Sequence, residues 1–128
     1  MMRFMSIVKA TRESEAGMPP PPALMEAIGK LAIEDRSIVE MGGLLPSSTG
    51  ARVRASGGKI VVTDGPFAEL KEIIGGYAIF ELPSMAEAVE RAKQFMQIHL
   101  DVLGPDYEGE CEVRPLFTAG AGCGAQSA

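Results

Sequence analysis

A short polar turn separates two apolar segments in the middle of the chain. It is centred on Asp64-Gly65-Pro66 and lies between residues 59–62 and 77–82. Gly65 supplies backbone freedom, while Pro66 fixes its own φ and pushes the preceding residue toward extended geometry. The Asp64 side chain can hydrogen-bond the backbone two residues further on. The sequence therefore predicts a rigid corner after a strand, with a carboxylate at its base.

Three other segments have the alternating or β-branched composition of strands. Residues 3–9 predict an opening strand, and residues 111–117 predict a closing one. Residues 51–55 and 59–63 flank Ser56-Gly57-Gly58, which predicts a hairpin that leads into the corner. Residues 77–82 are apolar on both faces apart from Glu81, which predicts a central position in the sheet.

Two segments have apolar residues at helical spacing. Residues 23–41 predict a core-facing amphipathic helix, which Gly42-Gly43 would end. The second helix begins after Ser84, with Glu87 in the position of a capping box, and ends before Gly104. Between the first strand and the first helix, residues 10–22 include four consecutive prolines. We expect this segment to be a linker without helix or central strand, because each proline lacks a backbone donor.

The order strand, helix, hairpin, strand, helix, strand predicts an α+β fold: an antiparallel or mixed sheet with both helices on one face. The other face would stay uncovered in a monomer, and a second copy of the chain would cover it. We therefore expect a homodimer. One domain is expected over residues 1–117, because a chain of 128 residues has no room for two. The small, polar residues 118–128 are expected to be disordered.

The corner residues also carry a family resemblance. The run Asp64-Gly65-Pro66-Phe67, with Glu69, Lys71 and the later Gly75-Gly76-Tyr77, resembles the signature of the YCII-related proteins, in their DGPF branch. The resemblance implies a ferredoxin-like domain that pairs into a dimeric α+β barrel. Some distant relatives act on small aromatic or lactone-like molecules through a His-Asp pair. Others stand beside alternative sigma factors, which implies a transcription-regulatory partner.

Asp64 is the candidate catalytic residue, since a partly desolvated carboxylate at a fixed corner can act as a general acid or base. The alternative is an aspartate that only caps its own turn. Cationic side chains nearby could hold a small organic acid. The candidate ligand-binding residues are Arg52, Arg54, Pro66, Phe67, Glu69, Lys71 and Tyr77.

Histidine chemistry is limited to His99, which lies on the apolar stripe of the second helix. We interpret it as a packed residue or a charge near the helix C-terminus rather than a catalyst. The catalytic histidine of the enzymatic relatives comes early in the chain, where this sequence has none. Their His-Asp mechanism therefore does not carry over, and of that pair Asp64 alone has a counterpart.

Composition argues against several partners. The formal net charge of -5 disfavours nucleic acid, which requires clustered Lys and Arg. No apolar run reaches the roughly 20 residues of a membrane helix, and the N-terminus lacks the features of a signal peptide, so we expect a cytoplasmic protein with no membrane contact. Cys111 and Cys123 have no CxxC spacing. We expect both thiols to be free and expect no metal or other cofactor.

Two classes of function remain open. The first is a non-catalytic, dimeric module that binds a small organic acid or aromatic ligand, or a regulatory partner. The second is a small-molecule enzyme of the isomerase or lyase type, in which Asp64 takes or gives a proton while Arg52, Arg54 or Lys71 fixes the substrate's charge. The missing early histidine favours the first class.

Overall fold

The sheet is built around its two longest strands, which pair antiparallel at its centre. A computed structural model describes residues 1–117, and its four-stranded sheet has the order β2-β5-β1-β6 with every neighbouring pair antiparallel. The elements are β1 (Met2–Lys9), α1 (Arg12–Glu15), α2 (Pro22–Glu34), β2 (Ile38–Gly43), β3 (Ala51–Ser56), β4 (Lys59–Asp64), β5 (Ile74–Leu82), α3 (Met85–Leu103) and β6 (Cys111–Pro115). This α+β arrangement is ferredoxin-like, as the sequence predicts.

The core lies between the sheet and α3. Strand β5 alternates regularly, with Ala78, Phe80 and Leu82 buried, and the intervening residues point to the other face. Phe4 of β1 and Ala88 of α3 complete this cluster. Ser84 caps α3 by accepting a 3.3 Å hydrogen bond from the backbone of Glu87. The predicted bounds of the second helix and the central position of β5 are confirmed.

The predicted first helix is wrong at its C-terminal end. Helix α2 stops at Glu34, and residues 38–43 form β2, which pairs with β5. A side-chain turn causes the break: Oδ1 of Asp35 accepts hydrogen bonds from the backbone and hydroxyl of Ser37 at 2.9 and 2.6 Å. The chain leaves this turn extended, and Gly43 therefore ends a strand rather than a helix.

The segment predicted to be a helix-free linker contains α1. Thr11 and Ser14 form a reciprocal capping box that starts this four-residue helix. The last proline of the run, Pro22, begins α2. Proline is tolerated there because a backbone donor is not needed in the first turn of a helix.

Strands β3 and β4 form a separate two-stranded sheet, and the predicted hairpin is confirmed. Gly57 and Gly58 both have positive φ, 60° and 77°, which the tight turn of a two-residue hairpin requires. Every residue of both strands is exposed. The hairpin therefore receives no cover from the rest of the described chain.

Some of the sequence-based expectations concern residues beyond the described chain. Residues 118–128, including Cys123, fall outside it, so their expected disorder and the domain end at residue 117 remain predictions. Within residues 1–117, no helix is both long and apolar enough to cross a membrane.

Candidate functional site

The signature corner, Asp64-Gly65-Pro66-Phe67, is tied to the turn that precedes β3. Its backbone donates from Gly65 to the carbonyl of Gly50 at 2.9 Å, and from Phe67 to the hydroxyl of Ser47 at 3.1 Å. The Gly65–Pro66 peptide bond is cis. The corner is therefore held by backbone hydrogen bonds to the turn that precedes β3.

Ser47 is the centre of this tether. It is 7% exposed, and its backbone N–H and its hydroxyl both donate to the carboxylate of Glu15 in α1, at 2.9 and 2.5 Å. The same hydroxyl oxygen accepts the hydrogen bond from Phe67. A charge-assisted pair to a carboxylate is stronger than a neutral one. The Glu15 side chain thus fixes the corner through Ser47.

Sequence reasoning missed Ser47 and Glu15 as corner residues. They are separated from each other by 32 residues, and Ser47 is separated from Phe67 by 20. Neither separation corresponds to a helical or turn spacing, so no local pattern marks the contact. The one available signal is the short interval of small and polar residues before β3, which permits a tight turn.

We expect Ser47→Ala to destabilise the fold by about 2 kcal/mol, because it removes a hydrogen bond to a charged group and leaves the partly buried N–H of Phe67 without its acceptor. The free energy of unfolding in urea measures this. Ser48→Ala is the matched control, since Ser48 is exposed and should change stability by less than about 0.5 kcal/mol. Equal effects of the two substitutions would contradict the tether.

The structure brings some of the candidate site residues together at the corner. Asp64 ends β4 opposite Ala51, is exposed, and its side chain makes no hydrogen bond or ion pair with the described residues. The guanidinium of Arg52 lies 4.0 Å above the ring centroid of Phe67, a cation–π contact that orients it beside the corner. Pro66 is exposed next to them.

The other candidates are more dispersed. Arg54, Glu69 and Lys71 are exposed, and within residues 1–117 none of them has an ion pair. Tyr77 belongs to the four-stranded sheet, and its hydroxyl donates to Glu40 of β2 at 2.6 Å rather than to a corner residue. That hydrogen bond to Glu40 raises the pKa of Tyr77 above its ordinary value.

The hairpin has one apolar and one basic face. In its register Val53 pairs with Val62 and Arg54 with Val61. Residues that pair across the two strands share a face, and consecutive residues of one strand lie on opposite faces. The apolar hairpin face consists of Ala51, Val53, Ala55, Ile60 and Val62, and Asp64 lies at its end, opposite Ala51. Val53, Ile60 and Val62 are 70%, 68% and 62% exposed. An isolated two-stranded hairpin is only marginally stable in water, so this face needs cover.

A large concave space lies elsewhere, between the sheet and the helices. This sheet-helix cavity measures about 870 Å³ and is open to solvent. Helix α2 packs on α3, and its apolar stripe borders the space. The apolar walls include Val8, Leu24, Ile28, Leu31, Phe80 and Phe95.

The cavity is open to solvent and large enough to hold many water molecules. Water or a ligand must therefore fill it. Of the candidate site residues, Tyr77 borders this cavity and the corner residues do not.

A buried ion pair stands on the cavity wall. Asp35, whose side chain is 6% exposed, binds Arg91 of α3. Burial alone would raise the pKa of Asp35, but hydrogen bonds from Arg91 and Ser37 outweigh it and hold that pKa below its ordinary value. The pair joins the turn after α2 to the middle of α3.

The lowered pKa has a predictable effect on stability. A carboxylate with a depressed folded-state pKa stabilises the fold above its unfolded value near 4, and this contribution is lost as the pH falls below it. We expect Asp35→Asn to lower the free energy of unfolding at neutral pH by about 2 kcal/mol. The variant should also lose less stability than the wild type between about pH 5 and pH 3.

Urea unfolding over this pH range tests the expectation. Glu90→Gln is the matched control, because the Glu90–Lys93 pair is 65% and 69% exposed and should contribute less than about 0.5 kcal/mol. If Asp35→Asn and the wild type lost stability in parallel with falling pH, the proposed linkage to Asp35 would be wrong.

Cys111 of β6 lies outside both the corner and the lining of the sheet-helix cavity. Burial raises the pKa of the Cys111 thiol, although a contact with the Ser6 hydroxyl at 2.7 Å opposes this. Residues 1–117 contain no group of three His, Cys, Asp or Glu side chains that could hold a metal ion.

A small ferredoxin-like domain with a tethered signature corner defines the class of protein. The YCII-related domain family matches residues 2–101, and the chain belongs to this family. An uncharacterised protein of Rhizobium meliloti (strain 1021) is 30% identical over 92 residues, which cover 72% of this chain and 69% of that protein. The family predicted from the corner motif is thus confirmed.

Proposed function

We propose that this chain is a homodimeric small-ligand-binding protein in which the signature corner forms part of the ligand site. The observation that carries the proposal is the β3–β4 hairpin, which is exposed on both faces and ends at Asp64. A hairpin with an uncovered apolar face next to a tethered corner is typical of a site that a second subunit completes.

Two apolar surfaces of the chain support the dimer. The apolar hairpin face is one of them. The other is a small apolar patch on the sheet face opposite the core, where Met5 and Ile79 lie side by side, with Ile7 two residues along and charged residues such as Glu112 and Arg114 beside them. In a two-fold symmetric dimer both copies contribute the same surfaces, so both surfaces can be covered on each of the two chains. A second copy is the one partner that is always present at matching concentration.

Charge at the corner supports an anionic ligand. Arg52, Arg54 and Lys71 have no ion pair among the described residues, and the stacking of Arg52 on Phe67 presents its guanidinium in a fixed orientation. A preoriented guanidinium binds a carboxylate with less entropic cost than a free one. The corner therefore favours a small organic acid.

Catalysis by Asp64 is the second candidate function. The carboxylate is exposed and has no hydrogen-bond partner among the described residues, so it is available to a bound molecule. In an isomerisation it would take a proton from a carbon next to a substrate carbonyl, and the resulting enolate would take the same proton back at another carbon.

A thermal-shift screen of small organic acids, phenols and lactones tests the site. We expect an organic acid to stabilise the wild type by several degrees, because a ligand that binds only the folded state raises its melting temperature. The same acid should lose this effect with Arg52→Ala, which removes the oriented cation. Arg12→Ala is the matched control, since Arg12 is an exposed arginine of α1 outside the corner.

Asp64→Asn separates binding from catalysis in the same screen. If the acid is a substrate, the variant should bind it and fail to turn it over. If the protein only binds, no turnover will be found for either form. A screen without any stabilising compound would contradict a small-ligand site at the corner and would favour a protein partner, such as a transcription regulator.

A further inference from the structure

On the wall of the sheet-helix cavity, one nitrogen of a largely buried histidine has no hydrogen-bond partner among the described residues. His99 of α3 is 8% exposed, and its Nδ1 lies 2.8 Å from the carbonyl oxygen of Phe95. A carbonyl only accepts, so Nδ1 carries the proton, and the neutral ring has an acceptor at Nε2. The ring is held between Phe95, at 4.7 Å, and Tyr107, stacked at 5.2 Å.

The free nitrogen of His99 faces accessible space. Nε2 has no hydrogen bond within residues 1–117, and in that range no fully buried side-chain nitrogen or oxygen lacks a partner. Nε2 must therefore border a space that a small molecule can reach. His99 lines the sheet-helix cavity, so its ring borders that space.

Charges on the cavity wall disfavour an anionic ligand. Its cations are already paired: Arg91 binds Asp35, and Lys9 lies 3.6 Å from Glu112. Three further carboxylates on the wall have no ion pair among the described residues: Glu13, Asp106 and Glu108. A carboxylate or phosphate would be repelled, whereas an uncharged molecule would not.

We propose that the sheet-helix cavity binds an uncharged, mostly apolar molecule that donates one hydrogen bond to Nε2 of His99. The apolar side chains of α2, α3 and the sheet cover the body of the molecule, and His99 orients its hydroxyl. The volume of about 870 Å³ lies within the usual range for small-molecule pockets. This site is separate from the signature corner, which favours anions, and it does not depend on the dimer.

Binding of naphthol, naphthalene and naphthoate to the full chain tests the proposal by calorimetry. The three probes share one apolar body and differ in offering a donor, no donor or a negative charge. We expect naphthol to bind about tenfold more tightly than naphthalene, as one net hydrogen bond allows, and naphthoate to bind more weakly than either.

Variants assign the binding to this cavity. His99→Leu should weaken naphthol binding about tenfold and leave naphthalene within about twofold, because the substitution removes the acceptor and keeps an apolar side chain. Ile28→Trp should weaken both probes, since its ring enters the cavity. Asp64→Asn should change neither, which separates this site from the corner.

A second measurement covers the case in which His99→Leu does not fold. His99 is the only histidine of the chain, so ¹⁵N-labelled histidine gives one assigned pair of imidazole resonances. Naphthol should shift the Nε2 resonance of the wild type and leave Nδ1 nearly unchanged. Equal affinities for naphthol and naphthalene, an unmoved Nε2 resonance, or no saturable binding of either probe would overturn the proposal.

Discussion

Gly65→Ala is expected to destabilise the fold by about 3 kcal/mol, because the added methyl group would overpack against backbone atoms, which cannot rotate away. A Cβ at this position would lie 1.8 Å from the carbonyl oxygen of Ser47 and 2.6 Å from its carbonyl carbon. Both are backbone atoms, so the two segments must separate. Separation would break the hydrogen bonds that hold Gly65 to Gly50 and Phe67 to Ser47.

Gly50→Ala is the matched control for this substitution. Gly50 lies in the same turn, has an ordinary φ of -115°, and its Cβ would meet the Ser47 oxygen at 3.7 Å, which is normal contact. We expect its free energy of unfolding to change by less than about 0.5 kcal/mol. If Gly65→Ala were as stable as Gly50→Ala in urea, the close approach of the corner to Ser47 would be wrong.

Val53→Glu is expected to dissociate the proposed dimer, with a dissociation constant raised by at least about a hundredfold, because a charge would replace an apolar side chain at the centre of the apolar hairpin face. Val53 is 70% exposed in the single chain, so the substitution should not disturb the folded protomer. Light scattering after size-exclusion chromatography should give twice the chain mass for the wild type and the single mass for the variant.

Ile33→Glu provides the comparison for the dimer test. Ile33 is an apolar residue of α2 that is 84% exposed and lies outside the hairpin. The Ile33→Glu variant should therefore have the same dimer mass as the wild type. A monomeric wild type, or equal effects of the two substitutions, would contradict an interface that includes the apolar hairpin face.

Local signals account for the elements that were predicted correctly. Gly57 and Gly58 mark the hairpin, Ser84 marks the start of α3, and the apolar run of β5 marks the centre of the sheet. The family also follows from a local motif, because the signature corner is contiguous. Each of these signals is set by residues within a few positions of one another.

The sequence predicts a helix where β2 forms, because the apolar residues of β2 continue the periodicity of α2. Ile38 and Met41 fit a helical stripe that starts at Leu24, so periodicity alone cannot separate the two elements. The hydrogen bonds of Asp35 with Ser37 decide the boundary. An Asp two residues before a Ser, followed by β-branched residues, is the signal that could have indicated a turn and a strand.

The candidate site, like the fold, is predictable from the sequence only where its residues are contiguous. The composition of the corner is visible in the sequence, but its tether through Ser47 and Glu15 joins residues that are far apart. The sheet-helix cavity has walls from the sheet, both long helices and the loop before β6, so its existence depends on how α2 is placed. Periodicity identifies an apolar helix face, but it does not tell whether that face meets a sheet or a ligand space.

The two places differ in the chemistry that they favour. The corner presents unpaired cations on the surface, whereas the cavity combines apolar walls with carboxylates and one neutral acceptor at His99. A single ligand would not suit both. An organic acid at the corner and an uncharged molecule in the cavity would therefore bind independently, and each could be removed by substitutions that leave the other intact.

Hydrogen-deuterium exchange of the hairpin amides at two protein concentrations tests the proposed dimer most directly. If a second copy covers the hairpin, the paired amides of residues 51–64 should exchange slowly at high concentration and faster after dilution below the dissociation constant. The paired amides of β1 and β5 near the core should change little. Hairpin exchange that is equally fast at both concentrations would contradict the dimer and the site built on it.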